Sequence, residues 1–450
     1  MNSILYPELF SARSADVLFD LAVEAVQFAL PLYEMARMRS ATCPRATDVV
    51  SVAPPADSQE RLANQWLHMR ELLGPQHRRV VTPNNDTLYS NAWFDLSEGP
   101  VVIRVPAMHT RYYVLGLLDM YTNPFGYIGT RTTGHDAGTF LLHGPDWKGE
   151  LPEGMQEVVC PTNTVWLIGR MLVDGEDDLA DAIRLQDQLV IEPAPGSQAR
   201  VPCRFNAGMQ PYEKLGDADR FVRIVNDALA SNPPPAGEGE WMDRFKVLGL
   251  GPNCIGSPLD AHTREVLTRA IVQVVQTLSG APAMALGGGW ALPVSVRDSY
   301  GTAYRERAQV ALNYIGALGI EEAMYITADY DVEGEPLDGR FSYVLHFEQG
   351  HEPQVDAFWS LTAYEKETCL LTENAIGRYS LGDRTRDLHH DEDGSLRIAI
   401  AAREPLDPVL RSNWLPAPEG RFYLALRLYV PGAAHLSRTF VYPSVMRQSA

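Results

Sequence analysis

Residues 111–123, RYYVLGLLDMYTN, are the most informative part of the sequence about the fold, because a strand here carries apolar side chains on both faces. At the two-residue period of a β-strand, one face carries Tyr113, Leu115, Leu117, Asp119, Tyr121 and Asn123. The opposite face carries Val114, Leu118 and Met120. We therefore expect other parts of the chain to cover this strand on both sides.

Short β-rich runs on either side extend this pattern into a domain. They are PVVIRV (100–105), TFLLHG (139–144) and NTVWLIGRMLV (163–173), and Gly, Pro and Asn turn signals separate them. Runs of this length without long helices between them favour an antiparallel sandwich or barrel.

Helical periodicity replaces the strand pattern in the middle of the chain, at residues 217–231 and 261–279, and strand signals return from residue 323. The sequence thus predicts a mainly β protein with helices, of the α+β class. Two antiparallel β-sandwich or jelly-roll-like domains are bridged by a helical segment. The predicted parts are N-terminal helices (1–75), a first β domain (76–205), a helical connector (206–322) and a second β domain (323–450).

The N-terminal segment predicts an amphipathic helix from Ser14 to about Met38, which Pro31 is expected to bend or end. A second short helix is predicted around residues 59–73. An export signal is not expected, because acidic residues stand where such a signal carries basic ones and an unbroken apolar core. These residues are Asp16, Asp20 and Glu24.

Composition narrows the classes of partner. The 450 residues include 38 basic and 57 acidic ones, a formal charge of −19, so binding to a nucleic-acid backbone is not expected. No run reaches the roughly 20 apolar residues of a membrane span, so no membrane partner is expected either. The five cysteines are scattered without a C-x-x-C pair, which predicts free thiols and a cytoplasmic location.

Two parts of the chain resemble a known two-domain family. TPNNDTLYSNAWFDLSEGPVVIRVP, RYYVLGLLDMYTNPFGYIGTRT and PTNTVWLIGRMLV resemble the DUF1254 domain. FWSLTAYEKET, IGRYSLGDR, DGSLRIAI, NWLPAP and FYLALRLYVP resemble the DUF1214 domain that commonly follows it. The resemblance implies a pair of β-sandwich-like domains, and it carries no catalytic residues over because both names denote unknown function.

TPNNDTLYSN, residues 82–91, gathers amides, a carboxylate, a phenol and hydroxyls in one short segment. Asn84, Asn85 and Asp86 can form a purely structural turn, since Asn and Asp side chains hydrogen-bond to nearby backbone. Alternatively, the same three residues bind a substrate, with Tyr89 as a proton donor or oxyanion partner.

Asp119, Tyr121 and Asn123 share one strand face and form the strongest local candidate for catalysis. A carboxyl group in a largely buried row must be paired, hydrogen-bonded or shifted in pKa. Asp119 is therefore predicted as a general acid or base, with Tyr121 as a proton donor and Asn123 as a positioning group. The alternative is that Asp119 caps the turn at the end of the strand.

In the second β domain, alternation places Arg427 on one strand face with Tyr423 and Tyr429. This face is either solvated or borders a pocket in which Arg427 holds a substrate carboxylate. Further candidates for the rim of that pocket are Arg378, Asn413 and Trp414.

A metal site is only weakly indicated. HHDEDGS, residues 389–395, favours a solvated hairpin turn and lacks the glycine and glutamate positions of a calcium loop. We therefore predict no cofactor and leave a divalent cation open. The usual serine-hydrolase, zinc-protease, P-loop and dinucleotide motifs are also missing from the sequence.

These observations favour an enzyme that acts on a small organic molecule by acid/base proton transfer, of the lyase, isomerase or hydrolase type. One alternative is a non-catalytic protein that binds a small molecule or sugar through aromatic rings such as Trp93, Trp359 and Trp414. Another is a structural or assembly protein. A small molecule is the expected partner, and a homo-oligomer is left open.

Overall fold

The computed structural model describes residues 7–46, 59–78, 81–209, 215, 217–234, 238–254, 256, 258–280, 283–293 and 296–448. Two β-sandwich domains and a helical layer make up the structure, so the predicted α+β class is confirmed. The described strand pairs are antiparallel except for two short parallel pairs, residues 138–143 with 156–159 and residues 396–401 with 414–416.

The first domain contains two facing sheets and one small ribbon. The five-stranded sheet has the order β2 (Trp66–His68), β3 (Thr87–Asp95), β9 (Thr164–Leu172), β5 (Tyr113–Leu118) and β6 (Pro124–Gly129). The four-stranded sheet has the order β10 (Val190–Pro193), β4 (Val101–Val105), β7 (Gly138–His143) and β8 (Gln156–Val159). The ribbon pairs β1 (Glu60–Ala63) with β11 (Cys203–Asn206).

The second domain repeats this two-sheet arrangement. Its six-stranded sheet has the order β12 (Met284–Gly287), β13 (Trp290–Leu292), β14 (Ala323–Ala328), β20 (Phe422–Pro431), β16 (Val355–Glu365) and β17 (Ser380–Gly382). The four-stranded sheet has the order β19 (Trp414–Pro416), β18 (Leu396–Ala401), β15 (Tyr343–Phe347) and β21 (Met446–Arg447).

The helices lie mainly in the N-terminal segment and the connector. They are α1 (Pro7–Thr42), α2 (Leu179–Gln186), α3 (Ala218–Ser231), α4 (Gly239–Asp243), α5 (Ala261–Leu278), α6 (Tyr304–Asn313), α7 (Pro408–Ser412) and α8 (Ala433–Leu436). Helix α1 packs against α3, α5 and α6. Within the described ranges, no helix combines the length and apolar character that crossing a membrane requires.

Strand β5 ends at Leu118 and has, over that length, the two covered faces that its sequence predicts. The prediction that Asp119, Tyr121 and Asn123 continue one face of the strand is wrong, because they lie in the turn beyond it. Tyr113, Leu115 and Leu117 belong to the core between the two sheets of the first domain. Val114 and Leu118 belong to a second core, which the helical layer forms with the outer face of this sheet. Residues of the second domain also enter that core, among them Phe358 and Tyr429, so the helices and both domains share one apolar interior.

One prediction for the N-terminal segment is wrong, and Pro31 does not end the helix that contains it. Residues 59–73 form strands β1 and β2 instead of a helix, because each strand finds a partner that is distant in sequence, β11 and β3. Helix α1 also continues through Pro31 to Thr42. The residues around the proline are buried against other elements, and this packing offsets the backbone hydrogen bond that proline cannot make.

Candidate functional site

The segment 82–89 docks onto the second domain, and we call this contact with strands β14, β16 and β20 the interdomain seam. The hydroxyl of Tyr364 donates to the carbonyl of Pro83 at 2.6 Å, and Arg427 Nη2 donates to the carbonyl of Thr82 at 3.1 Å. The side-chain amide of Asn84 donates to the hydroxyl of Tyr429 at 2.6 Å. The segment is therefore both a turn and one wall of an interface between domains.

Each domain contributes a cross-strand tyrosine–arginine pair to the seam. Tyr89 on β3 lies opposite Arg170 on β9, and Tyr325 on β14 lies opposite Arg427 on β20. The two pairs interact across the seam, since both Tyr325 and Tyr89 act electrostatically on Arg170. Arg170 and Arg427 are 6% and 3% exposed, so both guanidinium groups lie inside the protein.

A cavity of about 390 Å³ opens at the seam next to Asp86. The first domain lines it with Asn85, Asp86 and Val173, among others, and the second domain with Ser360, Ser380 and Arg384. This volume is within the range of small-molecule sites. The Oδ1 atom of Asn85 and the Nε atom of Arg384 are buried here without a hydrogen-bond partner in the described structure.

Asp86 links the two domains by hydrogen bonds in the wall of this cavity. Its Oδ2 accepts the hydroxyl of Ser360 at 2.6 Å, and its Oδ1 accepts Ser380 Oγ at 3.2 Å and Arg384 Nη2 at 3.3 Å. All three donors come from the second domain, whereas Asp86 itself is only 4% exposed. A buried carboxylate with three cross-domain donors fixes how the two domains meet.

Burial sets the protonation of several groups near the seam. Desolvation raises the pKa of Tyr112, Tyr325 and Tyr429, so these phenols stay neutral and can donate hydrogen bonds. Asp383 is an exposed residue, but its carboxyl group is partly desolvated, which raises its pKa to about 6. Its Oδ1 also accepts the backbone amide of Trp359 at 3.2 Å.

The predicted catalytic group Asp119 lies in a sealed turn. Its Oδ1 accepts the backbone amides of Tyr121 and Asn123 at 2.8 and 2.9 Å, and its Oδ2 accepts Asn123 Nδ2 at 2.8 Å. The Tyr121 hydroxyl donates to the carbonyl of Asn232 at 3.0 Å. Asp119, Tyr121 and Asn123 are 3%, 0% and 8% exposed. This geometry is that of the turn-capping alternative, and a catalytic role for Asp119 and Tyr121 stays a prediction.

Other predicted binding residues have structural contacts away from the cavity lining. Arg378 Nη1 donates to the carbonyls of Ser412 and Trp414, each at 2.9 Å. Asn413 bonds to His389 and to the carbonyl of Arg397. Trp414 donates to the carbonyl of Ala401 at 2.8 Å. These contacts join parts of the second domain to one another.

The tryptophans predicted as sugar-stacking platforms are buried in cores. Trp93 is 0% exposed and stacks on Trp166 with ring centroids 5.1 Å apart. Trp359 and Trp414 are 2% and 5% exposed. Stacking on a sugar requires an accessible ring face, and burial leaves none of these three rings with such a face in this structure.

HHDEDGS forms a turn, but the strands beside it, β17 and β18, belong to different sheets, so it is not a hairpin. Asp391 accepts Arg397 Nε at 2.7 Å, and Asp393 accepts the Ser395 hydroxyl at 2.6 Å. Among the described residues, no three His, Cys, Asp or Glu side chains converge in a way that could hold a metal ion.

The sequence did not predict several residues of the seam as site residues, namely Arg170, Tyr325, Ser380 and Arg384. Arg170 had a detectable signal, since it is the one charged residue inside the otherwise apolar run TVWLIGRMLV. Ser380 and Arg384 follow no such rule, because strand β17 is short and its position beside Asp86 depends on how the two domains meet.

The comparisons with known proteins fit this architecture. Residues 63–193 match a family described as a protein of unknown function, DUF1254, and residues 322–433 match another protein of unknown function, DUF1214. No curated protein matches the sequence.

Two solved structures are similar to the chain. The crystal structure of the VPA0106 protein from Vibrio parahaemolyticus is 25% identical, with a TM-score of 0.71 over 96% of this chain and 100% of that one. An uncharacterised protein from Burkholderia cenocepacia is 12% identical, with a TM-score of 0.43 over 97% of this chain and 95% of that one.

Proposed function

Because the chain belongs to the family that joins a DUF1254 domain to a DUF1214 domain, and the seam draws on both, we propose that the seam is the active site of an enzyme. The enzyme acts on a small organic molecule by proton transfer, as a lyase, isomerase or hydrolase. The observation that carries this proposal is the position of Asp86, a buried carboxylate in the wall of a cavity of about 390 Å³ that both domains line.

The contacts of Asp86 suit a proton-transferring group. The hydroxyl of Ser360 lies 2.6 Å from Asp86 Oδ2 and also lines the cavity, so a proton can pass between the carboxylate and a bound molecule through it. When a C–H proton leaves the substrate for Asp86, negative charge remains on the substrate. Arg384 lines the same cavity, and its positive charge can stabilise the negative charge on the substrate.

Neighbouring residues complete the site. Asn85 also lines the cavity, and its side-chain amide can position a substrate hydroxyl or amine. Tyr89 supplies a phenol on the same seam. In this proposal Asp86 replaces Asp119 as the acid or base, and no organic cofactor is required. The five free cysteines support a reducing, cytoplasmic environment.

Solvent deuterium exchange tests the proposal while the substrate is still unidentified. The protein is incubated in D₂O with a panel of small hydroxy acids, keto acids and sugars, and loss of C–H signals is followed by NMR. We expect exchange or turnover of at least one compound, and Asp86→Asn should reduce it by about 100-fold or more, as loss of a general base does.

Asp331→Asn is the matched control, since Asp331 is equally buried, at 3% exposure, but caps a turn in the second domain. It should retain the exchange rate. Equal exchange in Asp86→Asn and the wild type would exclude Asp86 as the acid or base. Ligand binding without any exchange would favour the non-catalytic binding alternative.

A further inference from the structure

Arg170 is a buried cation whose hydrogen-bonding groups are mostly unused. The residue is 6% exposed, and its Nη2 makes one long hydrogen bond, 3.4 Å, to the carbonyl of Gly316. Its Nε and Nη1 atoms are buried without an acceptor. A guanidinium group carries five N–H donors and is always charged, so this arrangement leaves an unusual excess of donors inside the protein.

The carboxylates near the seam are already paired with other arginines. Asp86 and Asp174 contact Arg384, and Glu322 accepts Arg131 Nε at 2.7 Å. Among the described residues, no carboxylate lies within ion-pairing distance of Arg170. The ring of Tyr89, with its centroid 5.8 Å away, offsets only part of the desolvation of the charge.

Within the described part of the chain, the groups that raise the pKa of Arg170 are phenols and include no carboxylate. The groups that act most strongly on its charge are Tyr325, Tyr89, Tyr429 and Tyr112, and the last two hydroxyls are already bonded to Asn84 and Glu322. Tyr89 and Tyr325 are only partly buried, although they lie between the two domains, and the hydroxyl of Tyr325 also contacts that of Tyr429. One unpaired positive charge beside two phenols is the chemistry of an anion site.

We propose that Arg170, with the hydroxyls of Tyr89 and Tyr325, binds the carboxylate group of the substrate, which is therefore a small organic acid. This inference rests on the proposed function of the seam. A carboxylate suits the site better than a phosphate, because one unpaired cation matches one negative charge and a phosphate monoester carries about two.

Arg427, which the sequence favoured for this role, already has its partners. Its Nη1 donates to Thr362 Oγ1 at 3.0 Å, and its Nη2 donates to Tyr364 Oη at 2.6 Å and to the carbonyl of Thr82. It holds the segment 82–89 in place. The role of Arg427 is therefore to position the docking segment, whereas Arg170 has the free donors.

Calorimetric titration of the full chain tests this assignment. The probes are benzoate and hexanoate as carboxylates, benzamide as the uncharged counterpart of benzoate, and inorganic phosphate. We expect the wild type to bind at least one carboxylate and not benzamide. Arg170→Gln should weaken this binding by about 30-fold or more, the loss of one charged hydrogen-bonding group. Tyr325→Phe should weaken it several-fold.

The variants also separate binding from folding. Arg170→Gln removes an uncompensated buried charge, so its melting temperature should equal or exceed that of the wild type, whereas a purely structural arginine would lower it. Tyr325→Phe removes only a hydroxyl and keeps the test valid if Arg170→Gln does not fold. Carboxylate affinity that is unchanged in the folded variants, no carboxylate binding by the wild type, or binding of phosphate alone would overturn the inference.

Asp86→Asn separates this inference from the proposed function. It should bind the carboxylate probe within a few-fold of the wild type, because Asp86 makes its hydrogen bonds with Ser360, Ser380 and Arg384 and none with Arg170. If Asp86→Asn keeps full turnover while Arg170→Gln loses carboxylate binding, the anion site is supported and the catalytic role of Asp86 is excluded. If Asp86→Asn loses turnover while Arg170→Gln keeps carboxylate binding, the catalytic role of Asp86 is supported and the anion site is excluded.

Discussion

Replacement of Asp119 distinguishes a structural turn from a catalytic group. Asp119→Ala removes the acceptor of three hydrogen bonds, from the amides of Tyr121 and Asn123 and from Asn123 Nδ2. Each bond to a charged acceptor contributes about 1.5 kcal/mol or more, and the donors left behind are buried. We therefore expect the free energy of unfolding to fall by about 4 kcal/mol.

Asp119→Asn is the more discriminating change. It keeps one oxygen for the two backbone amides and turns an NH₂ group toward Asn123 Nδ2, so one hydrogen bond is lost and two donors face each other. The expected loss of stability is about 1 to 2 kcal/mol. Asp331→Ala is a useful comparison, because Asp331 accepts two backbone amides, from Glu333 and Glu335, and should cost about 3 kcal/mol.

Urea unfolding, followed by circular dichroism and tryptophan fluorescence, measures these differences. The proposed reaction at the seam should be retained in both Asp119 variants at temperatures where they are folded. An Asp119→Asn protein with an unchanged free energy of unfolding and no turnover would refute the structural interpretation and return Asp119 to the active site.

Two further predictions concern pH and packing. His435 is 1% exposed, and burial lowers its pKa to about 4, so the folded state binds fewer protons than the unfolded state between pH 4 and 6.5. The stability that neutral His435 contributes is complete above pH 6.5 and is lost as pH falls, and the free energy of unfolding should drop by about 2 kcal/mol from pH 7.5 to pH 5 for this reason. His435→Gln should lack this part of the drop when urea unfolding is measured at both pH values. At Gly382, a Cβ would lie 2.0 Å from the carbonyl oxygen of Trp359, so Gly382→Ala should lower the free energy of unfolding by about 3 kcal/mol. Gly420→Ala is the control for thermal melts, because no atom lies within 4 Å of a Cβ at that position and the change should be nearly neutral.

Strand alternation predicted the layers of the fold because the cores on both sides of a strand select for apolar side chains. The two faces of β5 enter different cores, and the inner face of β20 enters the core of its own sandwich. The segment 59–73 was misassigned because its short strands depend on distant partners, and local periodicity carries no information about such pairing.

Only part of the candidate site was predictable, for a related reason. The sequence identified Asn84, Asp86, Tyr89 and Arg427, since polar side chains within strands and tight turns are conspicuous. The sequence favoured Asp119 over Asp86 as the catalytic acid or base. Both are acids near strand ends, and only the hydrogen bonds in the structure show that Asp119 lies in a sealed turn and Asp86 in the wall of a cavity. The approach of Arg384 to Asp86 depends on contacts between the two domains, and the two residues are 298 positions apart in the chain.

The carbonyl groups of Thr82 and Pro83 accept from Arg427 and Tyr364, so main-chain atoms supply part of the link between the domains. A carbonyl oxygen is the same in every amino acid. Homologues can therefore differ freely in side chain at position 83 and still preserve this link. Variability there in future alignments would be no argument against the importance of the loop, whereas its length and path should be strictly maintained.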